Sequence, residues 1–382
     1  MRVLLAFDKF KDSLAAHQAC EVAARALHGR DPEWELDLCP LADGGEGFTE
    51  ILTMAAGGRL VPCRVAGPRG DPVEAKLGLV PLKKIPRAAQ AFFPTGNPDA
   101  LIALADLASA SGLALLPPEQ RDPWQTTSQG TGQLLQAAAG LGATAIVLGV
   151  GGSATHDLGL GALSALGLCF CGTDGKDIGP PTPGRWPEII TINREVSPLF
   201  PPLFIACDVT NPLLGPNGAA TVYAPQKGLQ AEDLPRLEAE SARLARLLCT
   251  HNGRPESLMN EPGAGAAGGI AFGLMCAARA KLRPGFDLVA AWLDLDARLA
   301  AADMVITGEG RFDASSLSGK GPGAVVRRAL ALGKPVHVFA GGIATATHPG
   351  LALHAITPAG TPLAQALREA PANLTVAMQS AF

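Results

Sequence analysis

The chain has 382 residues, 47% hydrophobic and 17% charged, with 35 acidic against 31 basic side chains. At about 150 residues per domain this predicts two domains around a large apolar core, and it excludes a disordered chain. A net charge of -4 with no basic face argues against a nucleic-acid partner, and no run of about 18 apolar residues is free of charges and breakers, which argues against a membrane span.

Residues 3–7 read as a buried strand. Ser13 is the expected N-cap of a helix of about four turns that Gly29 stops. Residues 34–39 alternate as a second strand, and DGGEG leads into a short helix over 48–56 ended by Gly57 and Gly58. The segment 61–73 is rich in Pro and Gly, with β-leaning fragments around it. Residues 99–112 and 129–139 read as helices, 143–150, 203–209 and 219–224 as strands, and 232–249 as an amphipathic helix. After LRPGFD (282–287) the pattern returns to strand then loop (302–310), helix (321–333), strand then loop (334–342) and strand (353–358). The alternation predicts α/β architecture in two domains. Residues 1–60 and 285–382 are expected to build one doubly wound parallel sheet from both termini, with a second α/β domain, 61–284, inserted. The eight cysteines include no C-x-x-C pair and read as small buried thiols in a reducing compartment. The opening MRVLLAFDKF is no export signal, so a cytoplasmic location is expected. The apolar fraction permits a homodimer.

Six glycine-bearing loops carry the chemistry, because glycine lets backbone N–H groups approach an anion and a following helix adds its positive end. FDKFKDS (7–13) places Asp8, Lys9 and Lys11 after the first strand. ADGGEG (42–47) sets Asp43 and Glu46 among glycines, a fit for sugar-like hydroxyls or hydrated Mg²⁺. GVGGSATHD (149–157) makes an anion nest of Gly151, Gly152, Ser153 and Thr155; His156 defaults to a surface or capping role. ACDVTNPL (206–213) puts Asp208 at a strand end, as a base or metal ligand, with Asn211 in the turn. PGAGAAGG (262–269) matches G-x-G-x-x-G at Gly263, Gly265 and Gly268, without the preceding strand of a dinucleotide site. TGEGRFDASSLSGKGPG (307–323) gathers Glu309, Arg311, Asp313, Ser316 and Lys320. The seven histidines are scattered, so no His/Cys metal cluster is read. Phosphoryl transfer is the chemistry best served by these groups. A nicotinamide-dependent oxidoreductase and a non-enzymatic sugar-acid sensor are the competing readings.

As a collinear set over about residues 1–345, FDKFKDSLAA, LADGGEG, GVGGSATHDLG, ACDVTNPLLG, GAGAAGG and TGEGRFDASSLSGK resemble the bacterial glycerate kinase family of glyoxylate and galactarate breakdown. DLASASGLALL, TTSQGTGQLL and YAPQKG fit the same pattern. His156 and Leu158 after GGSAT, Ala314, and Asp106 depart from it. The resemblance implies ATP-dependent phosphorylation of D-glycerate with Mg²⁺, mostly to 2-phosphoglycerate. It also implies a flavodoxin-like domain plus a second domain, with the active site in the cleft between them. From the chemistry of these groups, Lys9 and donors at Gly151, Gly152 and Ser153 are expected to meet the glycerate carboxylate, with Asp43, Glu46 and Asn211 also binding substrate. Asp208 is the expected proton acceptor. Glu309 and Asp313 are expected to hold Mg²⁺ through water, and Gly263, Gly265, Gly268, Ser316 and Lys320 to face the ATP phosphates.

Overall fold

The computed structural model describes residues 1–93, 97–313, 316, 321–344 and 349–382. Its strands are, in chain order, β1 (Arg2–Phe7), β2 (Glu35–Leu38), β3 (Arg59–Ala66), β4 (Pro72–Pro81), β5 (Leu101–Asp106), β6 (Ala145–Gly149), β7 (Cys169–Cys171), β8 (Thr191–Asn193), β9 (Leu203–Ala206), β10 (Lys281–Arg283), β11 (Met304–Asp313), β12 (Val336–Ala344) and β13 (Leu351–Ala355). The chain divides into two compact units. One is Met1–Asp43, Pro86–Ala89 and Phe286–Phe382; the other is Gly44–Ile85 and Gln90–Gly285.

The first unit is built on a five-stranded sheet of order β13-β12-β11-β1-β2, parallel throughout. Counted within the unit this is 2-1-3-4-5, the flavodoxin-like order. The run VLLAF is buried on both faces, as a central parallel strand must be. Val3, Leu5 and Phe7 pack with Ala19, Cys20 and Ala23 of the Ala16–His28 helix and with Leu374 and Met378 of the Leu363–Ala381 helix. Leu4 and Ala6 alternate to the opposite face, where the helices Leu295–Ala301 and Gly321–Ala331 pack on β1. The second unit has a mixed six-stranded sheet, β10-β9-β6-β5-β4-β3. Its β3, β4 and β5 pair antiparallel, and β5, β6, β9 and β10 pair parallel. A small β7–β8 hairpin lies apart from that sheet. The α/β class read from the sequence therefore holds, with parallel pairing dominant.

Four local readings need correction. Residues 101–106 are β5 and not part of a helix over 99–112; only Ala108–Ser111 is helical. An apolar run such as LIALA suits a buried strand or a buried helix, and pairing with β4 and β6 on its two sides decides. Residues 219–224 are not a strand: Ala219–Tyr223 is helical, started by a turn in which Gly218 N–H donates to Gly215 O and Ala219 N–H to Leu213 O. Ser13 is not the N-cap. Ala15 holds that position, and Ser13 Oγ donates instead to the Leu367 carbonyl at 2.6 Å, a partner far away in sequence. The first break in the chain falls at 43/44, because the Phe48–Ala55 helix packs on β4 and β5 of the second sheet. All eight cysteines are free. Among the described residues no helix is long and apolar enough to cross a membrane.

Candidate functional site

The carboxyl edge of the first unit's sheet gathers charge. Phe7 and Gly308 are register partners, so β1 and β11 present Asp8, Lys9 and Glu309 side by side. Lys9 Nζ donates to Asp43 Oδ1 at 3.0 Å, and the Lys9 backbone N–H donates to Asp8 Oδ1 at 2.7 Å. Burial, then the charges of Asp43 and Glu309, push the Asp8 carboxyl up to about 7 against the opposing Lys9. Burial also raises Glu309; the Ser316 hydroxyl opposes that shift, while Asp313 and Asp43 add to it. Glu309 Oε1 is buried with no hydrogen-bond partner among the described residues. Asp313 pairs with Arg311 at 3.3 Å, and its N–H donates to Ser316 Oγ at 3.2 Å. The Gly321–Ala331 helix begins against Asp8: a Cβ on Gly321 would lie 3.2 Å from Asp8 Oδ2. Lys320 and Ala314 lie outside the described residues.

The raised Asp8 makes a testable statement about pH. The folded chain keeps a proton that the unfolded chain releases near the ordinary 3.8. The stabilisation is full below that value and lost as pH rises through about 7. In metal-free buffer, Asp8→Asn should therefore flatten the fall of Tm across this window. The measurement is Tm against pH for both proteins; parallel curves would mean that Asp8 titrates normally.

In the second unit two of the glycine loops meet. Gly151 N–H donates to Gly44 O at 3.0 Å. A side chain on Gly149 would strike the Gly44 carbonyl, and one on Gly151 would come within 2.8 Å of Gly45 Cα. The glycines thus let the loops 44–47 and 149–152 stack backbone on backbone. This corrects the nest reading at Gly151, whose donor is taken; Gly152 and Ser153 remain to form it. Glu46 is exposed.

Beneath Ser153 sits Lys227, only 1% exposed. Its Nζ donates to Ser153 Oγ at 2.7 Å and to Thr155 O at 2.6 Å. Because Ser153 Oγ accepts there, its own O–H is left to donate elsewhere, as a bound anion requires. Burial pulls the Lys227 amine down to about 7, with Asp157 pulling the other way. The buried Asp157 accepts from Ser128 N at 2.7 Å, Ser128 Oγ at 2.8 Å, and the N–H groups of Gly159 and Gly161. It therefore caps the starts of the helices Gln129–Gly140 and Leu160–Ala165. His156 is a core residue, not a surface one. It is fully buried, its Nε2 lies 3.2 Å from Ser241 Oγ, and burial holds its pKa near 3, so the ring is neutral.

Asp208 lies two residues beyond β9, half-buried, where a Cβ on Gly285 would come 2.9 Å from its Oδ2. Asn211 engages both ends of its carboxamide with the protein: Nδ2 donates to Asn217 O at 2.8 Å, and Oδ1 accepts from Tyr223 at 2.6 Å. Its structural role is to brace the loop after β9. The cradle expected at Gly263, Gly265 and Gly268 is also corrected. All three are buried. A side chain would strike Leu282 at Gly263, the Pro212 carbonyl at Gly265, and the Thr155 carbonyl at Gly268. Gly265 N–H is donated to Asn211 O at 3.0 Å. Tight backbone packing accounts for this G-x-G-x-x-G, which is why no strand precedes it.

Sequence reasoning assigned no role to two residues. Asp8 was visible in FDKFKDS, but its carboxylate neighbours come from positions 43 and 309. Lys227 stands in YAPQKG with nothing local to mark it as buried.

Comparison with known proteins gives a consistent result. The chain matches the glycerate kinase family over residues 3–382. A glycerate kinase of Bacillus subtilis (strain 168) is 36% identical over 383 residues, covering 97% of this chain and 94% of that protein. A glycerate 2-kinase of Escherichia coli (strain K12) is 36% identical over 349 residues, covering 90% and 86%. The crystal structure of a "putative glycerate kinase 2" from Salmonella typhimurium LT2 superposes with a TM-score of 0.76 at 35% identity, covering 100% of this chain and 97% of that one.

Proposed function

Since the chain belongs to the glycerate kinase family, we propose that it transfers the terminal phosphoryl group of ATP, with Mg²⁺, to D-glycerate, giving 2-phosphoglycerate by in-line displacement. The observation that carries this reading is the match over residues 3–382, with relatives named glycerate kinase and glycerate 2-kinase aligned over nine-tenths or more of this chain. Phosphoryl transfer is mainly positioning and electrostatics, and the residues divide accordingly. In the second unit, Gly152 and the Ser153 hydroxyl, held from behind by Lys227, serve the glycerate carboxylate. Asp208 takes the proton of the attacking hydroxyl late in the step.

The acidic edge of the first unit suits a hard dication. Asp43 and Glu309 raise the proton affinity of Asp8, Asp313 and Asp43 raise that of Glu309, and Glu309 Oε1 is buried without a partner among the described residues. Among the described residues no group of three His, Cys, Asp or Glu side chains forms a ready-made metal site. Glu309 and Asp313 would hold the dication, with Asp8 beside them, and it would spread charge developing on the transferred group.

The test is direct: purified protein, D-glycerate, MgCl₂ and ATP, with products resolved by ³¹P NMR. The expected product is 2-phosphoglycerate. Formation of 3-phosphoglycerate would move the acceptor to the other hydroxyl, and no phosphoglycerate at all would end the proposal.

A further inference from the structure

A cavity of about 440 Å³ opens at the carboxyl edge of the first unit's sheet. Its floor is bare backbone. A Cβ on Gly341 would lie 2.5 Å from the Gly310 carbonyl, so β11 and β12 run close here without intervening side chains. Above Gly342 an added Cβ would meet nothing within 4 Å. Phe10, Ile343, Ile356 and Leu367 supply apolar walls, Thr357 and Thr361 supply hydroxyls, and Lys11 and Arg311 supply positive charge.

The position is one that parallel sheets reserve for ligands. The chain leaves β1 for the Ala16–His28 helix on one face and leaves β11 for the Gly321–Ala331 helix on the other. The switch point of the sheet therefore lies between β1 and β11, and ligands bind outside the carboxyl ends at such a point. The cavity takes Phe10 and Lys11 from the first exit and Gly310 and Arg311 from the second.

We infer that this cavity receives the nucleoside end of ATP, with Lys11 and Arg311 facing its polyphosphate tail. Its size falls in the range of small-molecule sites, about 300–1,000 Å³. A three-carbon polyhydroxy acid has no apolar surface to set against four hydrophobic walls. A purine nucleotide has a flat apolar ring, ribose hydroxyls and an anionic tail, matching walls, threonines and cations in turn. Glu309 immediately precedes Gly310, and Asp8 lies two residues before Phe10, so a tail leaving the cavity along these strands heads toward the carboxylates. The identity of the nucleotide rests on the kinase reading; the cavity and its chemistry do not.

Thr357→Leu tests the inference, because it enlarges a side chain that lines the cavity. Ala366→Leu fills the cavity from the Leu363–Ala381 helix and guards against a misfolded first variant. Calorimetric titration with MgADP should show affinity reduced about tenfold or more in both. KM for ATP should rise by a similar factor of about ten, with KM for glycerate unchanged. Unaltered MgADP binding in two folded, filled variants would overturn the inference, as would a wild type that binds no MgADP. Failure of wild type to phosphorylate glycerate would sink the proposed reaction while leaving the cavity to be judged by the titration.

Discussion

Asp208→Asn is expected to lower kcat by about 100-fold or more while KM for glycerate moves little. Asp208 follows β9, whose four residues LFIA are buried between β6 and β10. That places its carboxylate at the carboxyl end of a central parallel strand, rigidly mounted and half-buried. Gly285 is the residue that lets it sit there, since any Cβ would crowd Oδ2. Asparagine keeps the shape and the packing but removes the charge and the basic oxygen. A base acting only as the hydroxyl is attacked should thus be missed in turnover rather than in binding. Steady-state kinetics beside a thermal melt decide it. Turnover near wild type at an unchanged Tm would take the proton-acceptor role away from Asp208.

The legible parts of this fold were those where one signal dominated. VLLAF, AIVLG and LFIA are continuous apolar runs long enough for a strand and too short for a globular helix, and each became a strand buried on both faces. The same logic failed at LIALAD, where following helix formers extended the apolar run to helical length. It failed also at AATVY, whose β-branched residues favour a strand until the turn before them fixes the first helical hydrogen bonds. The glycine loops were found, but their meaning split. A glycine can admit a ligand's anion or a neighbouring backbone, and sequence does not distinguish the two. Gly149, Gly151, Gly265 and Gly268 turn out to admit protein backbone. The charged groups were hardest of all. The properties of Asp8, Lys227 and His156 come from residues dozens to hundreds of positions away, and a local reading has no access to burial.

Lys227→Met should be the most damaging single change in the second unit. Methionine can fill the space of the aliphatic stem, so a cavity is not the cause. The loss is of two donors: Ser153 Oγ and the Thr155 carbonyl are left buried without the amine that joins them. An unsatisfied buried acceptor costs about 1–3 kcal/mol, and relief of the buried ammonium offsets part of that, so a net loss of about 2 kcal/mol is expected. Function should suffer more than stability, because Ser153 loses the partner that orients its hydroxyl outward. Removal of a preorganised donor typically costs about 100-fold or more, and kcat/KM for glycerate should fall on that scale. The pH dependence separates this account from simple disruption. The amine's pKa is pulled from its ordinary 10.5 down to about 7 in the folded chain, so the unfolded chain binds more protons between those values. The stabilisation from Lys227 is therefore complete above about 10.5 and is lost as pH falls through about 7. Denaturant titrations of wild type and Lys227→Met across that interval should show the stability gap widening as pH rises. A gap that stays constant from neutral to alkaline pH would mean that the amine is not held near its neutral form, and the role assigned to it beneath Ser153 would need a different electrostatic basis.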